Sequence, residues 1–180
     1  MQEDKVLAIG SPAPEFTVKA FADGSINKMI SLADYRGKWV LLFFYPLDFT
    51  FVCPTELYEL GALREEFEKA NCQILGVSVD SVYSHQAWAK EDEKIGKLGF
   101  PLLSDMTKQM SWDYDVLHDD GVSLRGAFII DPDGILQGYV VNGLDVGRNP
   151  AELLRLVKAY QTGGLCQVNW SEGEKTLDGK

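Results

Sequence analysis

The sequence predicts an α/β fold in which helices flank a central mixed β-sheet. Apolar runs of strand length alternate with amphipathic segments of helical length, and two of the later strands are joined by a tight turn. The 180 residues fit one domain of ordinary size, and a hydrophobic content of 46% allows a well-buried core.

The first half of the chain contains two predicted strand–helix pairs. Residues 39–45 (WVLLFFY) are continuously apolar, which is typical of a buried central strand, and residues 73–79 (QILGVSV) form the next strand. Residues 54–70 and 84–94 have the helical period. The side chains that we expect to face the core from these helices are Leu57, Leu60, Leu63, Phe67, Trp88 and Ile95.

A hairpin and a last helix complete the predicted domain. Residues 127–130 and 135–141 are strands joined by Asp-Pro-Asp-Gly, a turn in which proline presets φ and glycine accepts a positive φ. Asn149 can cap the last helix, since proline follows it at the first helical position, and glycines 163 and 164 end that helix. The antiparallel hairpin is the reason to expect a mixed sheet.

We expect residues 1–165 to form the domain and residues 166–180 to form a C-terminal tail. The tail is polar, has no periodic apolar pattern, and contains Cys166 and Trp170. We expect it to be mobile.

The charge and composition exclude several classes of protein. The net charge is −10 and there is no cluster of basic residues, so we expect no nucleic-acid partner. No apolar run reaches the roughly 18 residues that a membrane span needs. The first ten residues carry acids where a signal peptide has bases and an apolar stretch, and we therefore expect a cytoplasmic protein. Three cysteines do not make a secreted disulfide framework.

Cys53 lies at the junction of a predicted strand and a predicted helix, a position that can make a cysteine reactive. It follows the buried strand and precedes a predicted helix, and Pro54 suits the first helical position, so we predict Cys53 as the N-cap. The helix dipole and free N–H groups would favour the thiolate and lower the thiol pKa from about 8.5. Thr50 could place its hydroxyl beside the sulfur, and the ring of Pro46 could shield the site from water.

Several separated motifs resemble those of one enzyme family. The pattern Pro46-x-x-x-Thr50-x-x-Cys53, followed by Pro-Thr-Glu, is similar to the active-site signature of typical two-cysteine peroxiredoxins, the alkyl hydroperoxide reductase C / thiol-specific antioxidant family. The resemblance runs over nearly the whole chain. The other matching segments are GSPAPEF at 10–16, RGKW at 36–39, FFYP at 43–46, GAFIID at 126–131 and GLDVGR at 143–148.

The resemblance implies a thioredoxin-like fold, a thiol-dependent peroxidase and a set of roles. Cys53 would be the peroxidatic cysteine that becomes a sulfenic acid, and Arg125 would stabilise its thiolate and the charge on the peroxide. Glu56 would orient the arginine, and Arg148 lies on a matching segment. Cys166 would be the resolving cysteine, supplied by the partner subunit, although leucine and glutamine flank it where the family has valine and proline.

The same resemblance implies the partners. The substrate would be hydrogen peroxide or an organic hydroperoxide, and a thioredoxin or a flavoprotein reductase would restore the thiols. The catalytic unit would be a homodimer, and many members form a ring of five dimers. We infer no cofactor and no metal, because no nucleotide-binding glycine motif and no C-x-x-C pair occurs.

Alternatives remain open at this point. Cys166 could be idle, as in a one-cysteine enzyme, or the chain could be a holdase built on the same scaffold. A thiol–disulfide oxidoreductase is disfavoured because it needs C-x-x-C. We expect structural roles for Cys72 and His85. The Gly-Gly-Leu-Gly insertion and Tyr-Phe tail of easily inactivated members are missing, which predicts resistance to hyperoxidation.

Overall fold

The computed structural model describes residues 7–180, so the first six residues of the N-terminal segment lie outside the described part. Within it, a seven-stranded mixed sheet has the strand order β2-β1-β5-β4-β3-β6-β7. The strands are β1 (Thr17–Ala22), β2 (Ser25–Ser31), β3 (Trp39–Phe44), β4 (Cys72–Ser78), β5 (Leu102–Ser104), β6 (Arg125–Ile130) and β7 (Leu136–Asn142). The helices are α1 (Val52–Lys69), α2 (Val82–Glu91), α3 (Glu93–Gly96), α4 (Gln109–Asp113) and α5 (Pro150–Gln161), with a 3-10 turn at Leu32–Tyr35.

The centre of the sheet is parallel and its two sides are antiparallel. β3, β4 and β5 run parallel, whereas β6 pairs antiparallel with β3 and with β7, and β1 pairs antiparallel with β5 and with β2. The prediction of an α/β fold with a mixed sheet is therefore confirmed.

β3 divides the core because successive side chains of a strand point to opposite faces of the sheet. Leu41, Phe43 and Tyr45 pack on the face covered by α1, α2 and α5. Leu42 and Phe44 pack on the other face, under the 3-10 turn and α4. All five side chains are fully buried, which is why this segment is apolar without alternation.

The predicted second helix is divided into two. α2 ends at Glu91, and the carboxylate of Asp92 then accepts hydrogen bonds from the N–H groups of Lys94 and Ile95 to cap α3. The periodicity continues across the break, and Trp88 and Ile95 are buried as predicted. The sequence analysis missed β1, β2 and the three-residue β5.

The hairpin and the last helix form as predicted. Asp131 accepts hydrogen bonds from two backbone N–H groups of the turn, and Gly134 adopts a φ of +81°. The Asn149 side chain caps α5 by accepting hydrogen bonds from Ala151 and Glu152. β7 forms one edge of the sheet.

Residues 166–180 form turns that pack on the domain, and their division from it as a mobile tail stays a prediction. Trp170 is 3% exposed, and its carbonyl accepts a hydrogen bond from Arg155 of α5 at 3.0 Å. The N–H of Leu177 donates to the carbonyl of Leu165 at 2.8 Å. Across residues 7–180, no helix is long and apolar enough to cross a bilayer, and no three potential metal ligands cluster.

Candidate active site

Cys53 lies in the first turn of α1, and its side chain is fully buried. The prediction that it is the N-cap is wrong: α1 begins at Val52 and Phe51 is the N-cap, because Phe51 already has helical angles (φ −99°, ψ −49°). Cys53 is thus the second helical residue. Helical side chains point back toward the N-terminus, where unpaired N–H groups and the helix dipole favour an anion.

Arg125 supplies a positive charge to the sulfur. It is the first residue of β6, 4% exposed, and not the solvated strand end that its position in the sequence would allow. Its Nη1 lies 3.4 Å from Cys53 Sγ and also donates to Glu56 Oε2 at 2.8 Å, while Nε donates to the Leu144 carbonyl at 2.7 Å. Hydrogen bonds to Glu56 and to the Leu144 carbonyl therefore fix the guanidinium, with Nη1 in contact with the sulfur.

Glu56 is positioned by a second arginine. Arg148 donates to Glu56 through its backbone N–H (2.7 Å), Nε (2.9 Å) and Nη2 (3.0 Å), and through Nη1 to the Gly126 carbonyl (2.6 Å). Its guanidinium carbon lies 3.4 Å from the ring centroid of Phe43. Burial lowers the pKa of Arg148, hydrogen bonds to Glu56 oppose that change, and a guanidinium stays charged.

The charged side chains of the site leave an excess of positive charge beside the sulfur. Arg125 and Arg148 bring two positive charges into a buried space, and Glu56 brings one negative charge. An uncompensated buried charge is costly. A Cys53 thiolate would balance the remaining positive charge.

Thr50 and Pro46, the two other predicted site residues, lie in the loop before α1. The Thr50 hydroxyl donates to the Leu47 carbonyl at 2.9 Å, so its hydrogen is not directed at the sulfur, and its lone pairs remain able to accept. Pro46 directly follows the buried Tyr45 and is itself buried. A catalytic role for either residue stays a prediction.

Cys166 lies after α5 and is partly buried. Its sulfur is 3.4 Å from the Thr162 hydroxyl and 3.6 Å from the Ala159 carbonyl, both of the same chain. All three cysteines are free thiols here.

Cys72 has the properties of a structural cysteine. It is 3% exposed at the start of β4, and burial raises the pKa of its thiol to about 12. A thiol that stays protonated at neutral pH is a poor nucleophile, so the Cys72 sulfur does not compete with Cys53.

The AhpC/TSA family matches residues 9–139, which include Cys53, Glu56 and Arg125. The chain belongs to this family. It is 52% identical over 173 residues to the mitochondrial thioredoxin-dependent peroxide reductase of Drosophila melanogaster, covering 92% of this chain and 74% of that protein. It is 51% identical over 177 residues to peroxiredoxin-2 of Rattus norvegicus, covering 94% of this chain and 89% of that one.

Solved structures agree with these relatives. The reduced 2-Cys peroxiredoxin of Plasmodium vivax has a TM-score of 0.85 at 44% identity, covering 92% of this chain and 90% of the other. AhpC of Mycobacterium tuberculosis has a TM-score of 0.84 at 38% identity, covering 92% and 99%. The protein is a peroxiredoxin with a thioredoxin-like fold, a thiol-dependent peroxidase of antioxidant type. The family resemblance described from the sequence is therefore confirmed.

The sequence left two features of this region undefined. It indicated no role for Arg148, although its position in the matching GLDVGR segment was a usable signal. It predicted a structural role for His85 and did not indicate that this buried side chain contacts Asp48 in the loop before Cys53. No local pattern indicates that contact, because the two residues are 37 positions apart.

Proposed function

We propose that Cys53 attacks a hydroperoxide as a thiolate and that Cys166 of a partner subunit resolves the product. The observation that carries the first step is the contact of Arg125 Nη1 with both Cys53 Sγ and Glu56. A guanidinium held in this way can stabilise the thiolate and the charge that develops on the peroxide oxygens.

In the first step the sulfur attacks one peroxide oxygen. The S–O bond forms as the O–O bond breaks, the leaving oxygen takes a proton to become water or an alcohol, and Cys53 becomes a sulfenic acid. Arg125 faces the reacting oxygens, and the lone pairs of Thr50 can accept a hydrogen bond from the peroxide O–H. The ring of Pro46, which has no N–H, helps to exclude water.

In the second step a Cys166 thiol condenses with the sulfenic acid, which forms the S–S bond and releases water. The Plasmodium vivax relative is a 2-Cys peroxiredoxin, which supports a two-cysteine cycle. A disulfide needs the two Cα atoms within about 7 Å. Because Cys53 is fully buried, the start of α1 must open locally before the bond forms.

A homodimer is the assembly that we propose for this step, with a ring of five dimers as the larger form. In its support, edge strand β7 exposes Tyr139 (46%) and Val141 (38%). Phe51, next to the active site, is 93% exposed, which supports a further contact between dimers.

Two electrons from a protein disulfide reductant complete the cycle by restoring both thiols. A thioredoxin or a flavoprotein reductase fits this role, and the name of the Drosophila melanogaster relative includes thioredoxin dependence. We propose hydrogen peroxide and organic hydroperoxides as substrates and the cytoplasm as the compartment.

Three cysteine variants test this cycle. Cys53→Ser should abolish peroxide reduction, and Cys166→Ser should consume about one peroxide per chain and then stop. Cys72→Ser is the matched control and should turn over as wild type. After peroxide treatment, non-reducing electrophoresis should show a linked dimer that neither the Cys53→Ser nor the Cys166→Ser variant forms. Full turnover of Cys166→Ser would instead establish the one-cysteine mechanism.

A further inference from the structure

The loop that joins β3 to α1 is fastened to the protein by a buried carboxylate. Asp48 is 6% exposed and lies five residues before Cys53. Its Oδ1 accepts a hydrogen bond from the Tyr45 hydroxyl at 2.9 Å, and its Oδ2 accepts one from the Ser84 hydroxyl at 2.8 Å. Burial, followed by the charge of Asp48, raises the pKa of Tyr45 well above its usual value, so that hydroxyl keeps its hydrogen.

His85 of α2 is the third partner of this carboxylate. Its side chain is fully buried, its Nδ1 lies 2.8 Å from Asp48 Oδ2, and its Nε2 lies 3.3 Å from the Leu103 carbonyl. The imidazole thus bridges the loop before Cys53 and a backbone carbonyl of β5.

A second carboxylate, Asp80, belongs to the same network. Asp80 accepts hydrogen bonds from the Asp48 backbone N–H and from the Ser78 hydroxyl, both at 2.8 Å. Burial and the nearby Asp48 charge raise the pKa of Asp80, whereas the His85 charge lowers it. Asp48 is therefore held through both its carboxylate and its backbone N–H.

The loop held in this way is under backbone strain. Phe49, next to Asp48, has a φ of +55°, a left-handed conformation that a residue with a Cβ adopts only when its surroundings impose it. Its ring packs on Trp88 of α2, with centroids 5.8 Å apart. Contacts with α2 therefore hold a conformation that the loop would otherwise leave.

Resting on the proposed function, we infer that His85 is a positioning residue for the peroxidase reaction. Through its hydrogen bond with Asp48 it fixes residues 46–51 in the form in which Cys53 meets Arg125, and it thereby sets how often the start of α1 opens for Cys166. His85 touches neither substrate nor sulfur. Weakening the pair favours the open form, which speeds disulfide formation and does not speed the attack on peroxide.

The test follows the two chemical steps separately in His85→Gln. Stopped-flow tryptophan fluorescence, with rapid acid quenching and mass spectrometry, gives the rate of Cys53 oxidation and the rate of Cys53–Cys166 disulfide formation. We expect disulfide formation to rise about tenfold, in line with the loss of a hydrogen bond to a charged group. Oxidation should fall by less than about fivefold, provided that the closed form still predominates. Loss of general stability would instead slow both steps together.

Two further variants establish whether His85 acts through Asp48. Asp48→Asn should shift the two rates in the same directions, and His85→Gln combined with Asp48→Asn should lie within about twofold of the larger single effect, since residues that act as a pair are not additive. His118→Gln, at a histidine whose side chain is 38% exposed, is the control and should match wild type.

The possible outcomes separate this inference from the proposed function. If wild type forms the disulfide and His85→Gln forms it at the wild-type rate, or if both steps slow equally, the positioning role is wrong and the peroxidase cycle stands. If wild type never forms the disulfide, the proposed cycle itself is wrong. Should His85→Gln fail to fold, Ser84→Ala decides, because it removes a hydrogen bond to the same carboxylate oxygen: disulfide formation should again rise about tenfold, and no change would overturn the inference.

Discussion

Three hydrogen bonds join Arg148 to the carboxylate of Glu56. The same carboxylate accepts a hydrogen bond from Arg125, which also contacts Cys53. Glu56 is 3% exposed, so its charge is compensated by these two guanidinium groups. The carboxylate thus determines where the positive charge beside the sulfur is held.

Glu56→Gln should therefore impair both stability and activity. The change leaves two buried guanidinium groups without their anion, and breaking a buried ion pair costs about 3 kcal/mol. We expect that loss in urea unfolding, together with a fall of about 100-fold in the rate of Cys53 oxidation, because Arg125 is no longer oriented. Glu59→Gln, at an exposed position of the same helix, is the control. An oxidation rate within threefold of wild type would contradict the orienting role.

Cys72 should resist thiol reagents in the native protein at neutral pH. It is buried, and the pKa of its thiol is raised to about 12, so it is both inaccessible and protonated. Peptide mapping after brief treatment with iodoacetamide should find Cys166 labelled and Cys72 unlabelled until urea unfolds the protein. Labelling of both at equal rates would contradict the structural role of Cys72.

The raised pKa of the Cys72 thiol predicts that the protein loses stability in alkaline solution. Its pKa is about 12 in the folded protein and about 8.5 when unfolded, so the unfolded chain loses the proton first as the pH rises. Between these values the free energy of unfolding should fall by about 1.4 kcal/mol per pH unit on account of Cys72. Cys72→Ala should remove that slope in urea titrations above pH ~8.5, and equal slopes for the two proteins would contradict the shift.

Much of the fold and part of the site could be predicted from local sequence. β3, α1 and the turn before β7 carry their own periodicity, and Cys53 is marked by its place between a strand and a helix. The helix begins two residues earlier than Pro54 suggests, because Phe51 already has helical angles that no pattern indicates.

The rest of the site depends on contacts between distant parts of the chain. Arg125 and Arg148 reach residues 72 and 92 positions away, so only the family resemblance suggested them. His85 meets Asp48 through the packing of α2 on the loop. β5 has only three residues, too few for a periodic signal, and β2 exposes much of its length.

The enzyme should withstand repeated exposure to peroxide. The chain lacks the Gly-Gly-Leu-Gly insertion, and residues 97–101 lead directly from α3 to β5. Without this insertion the opening of α1 is less hindered, so Cys166 should capture the sulfenic acid before a second peroxide does. Mass spectrometry should find little sulfinic acid on Cys53 after many turnovers at sub-millimolar peroxide. Inactivation within a few turnovers would contradict this.

The central claim is that the Arg125 guanidinium activates the Cys53 sulfur, and Arg125→Lys tests it most directly. Lysine keeps a positive charge and cannot reproduce the fork that reaches Leu144, Glu56 and the sulfur together. In stopped-flow oxidation by hydrogen peroxide at neutral pH, the rate constant for Cys53 should fall at least about 100-fold. Arg64→Lys, at a partly exposed position of α1 where the arginine pairs with Glu68, should match wild type. A rate constant for Arg125→Lys within threefold of wild type, in a folded protein, would contradict the account.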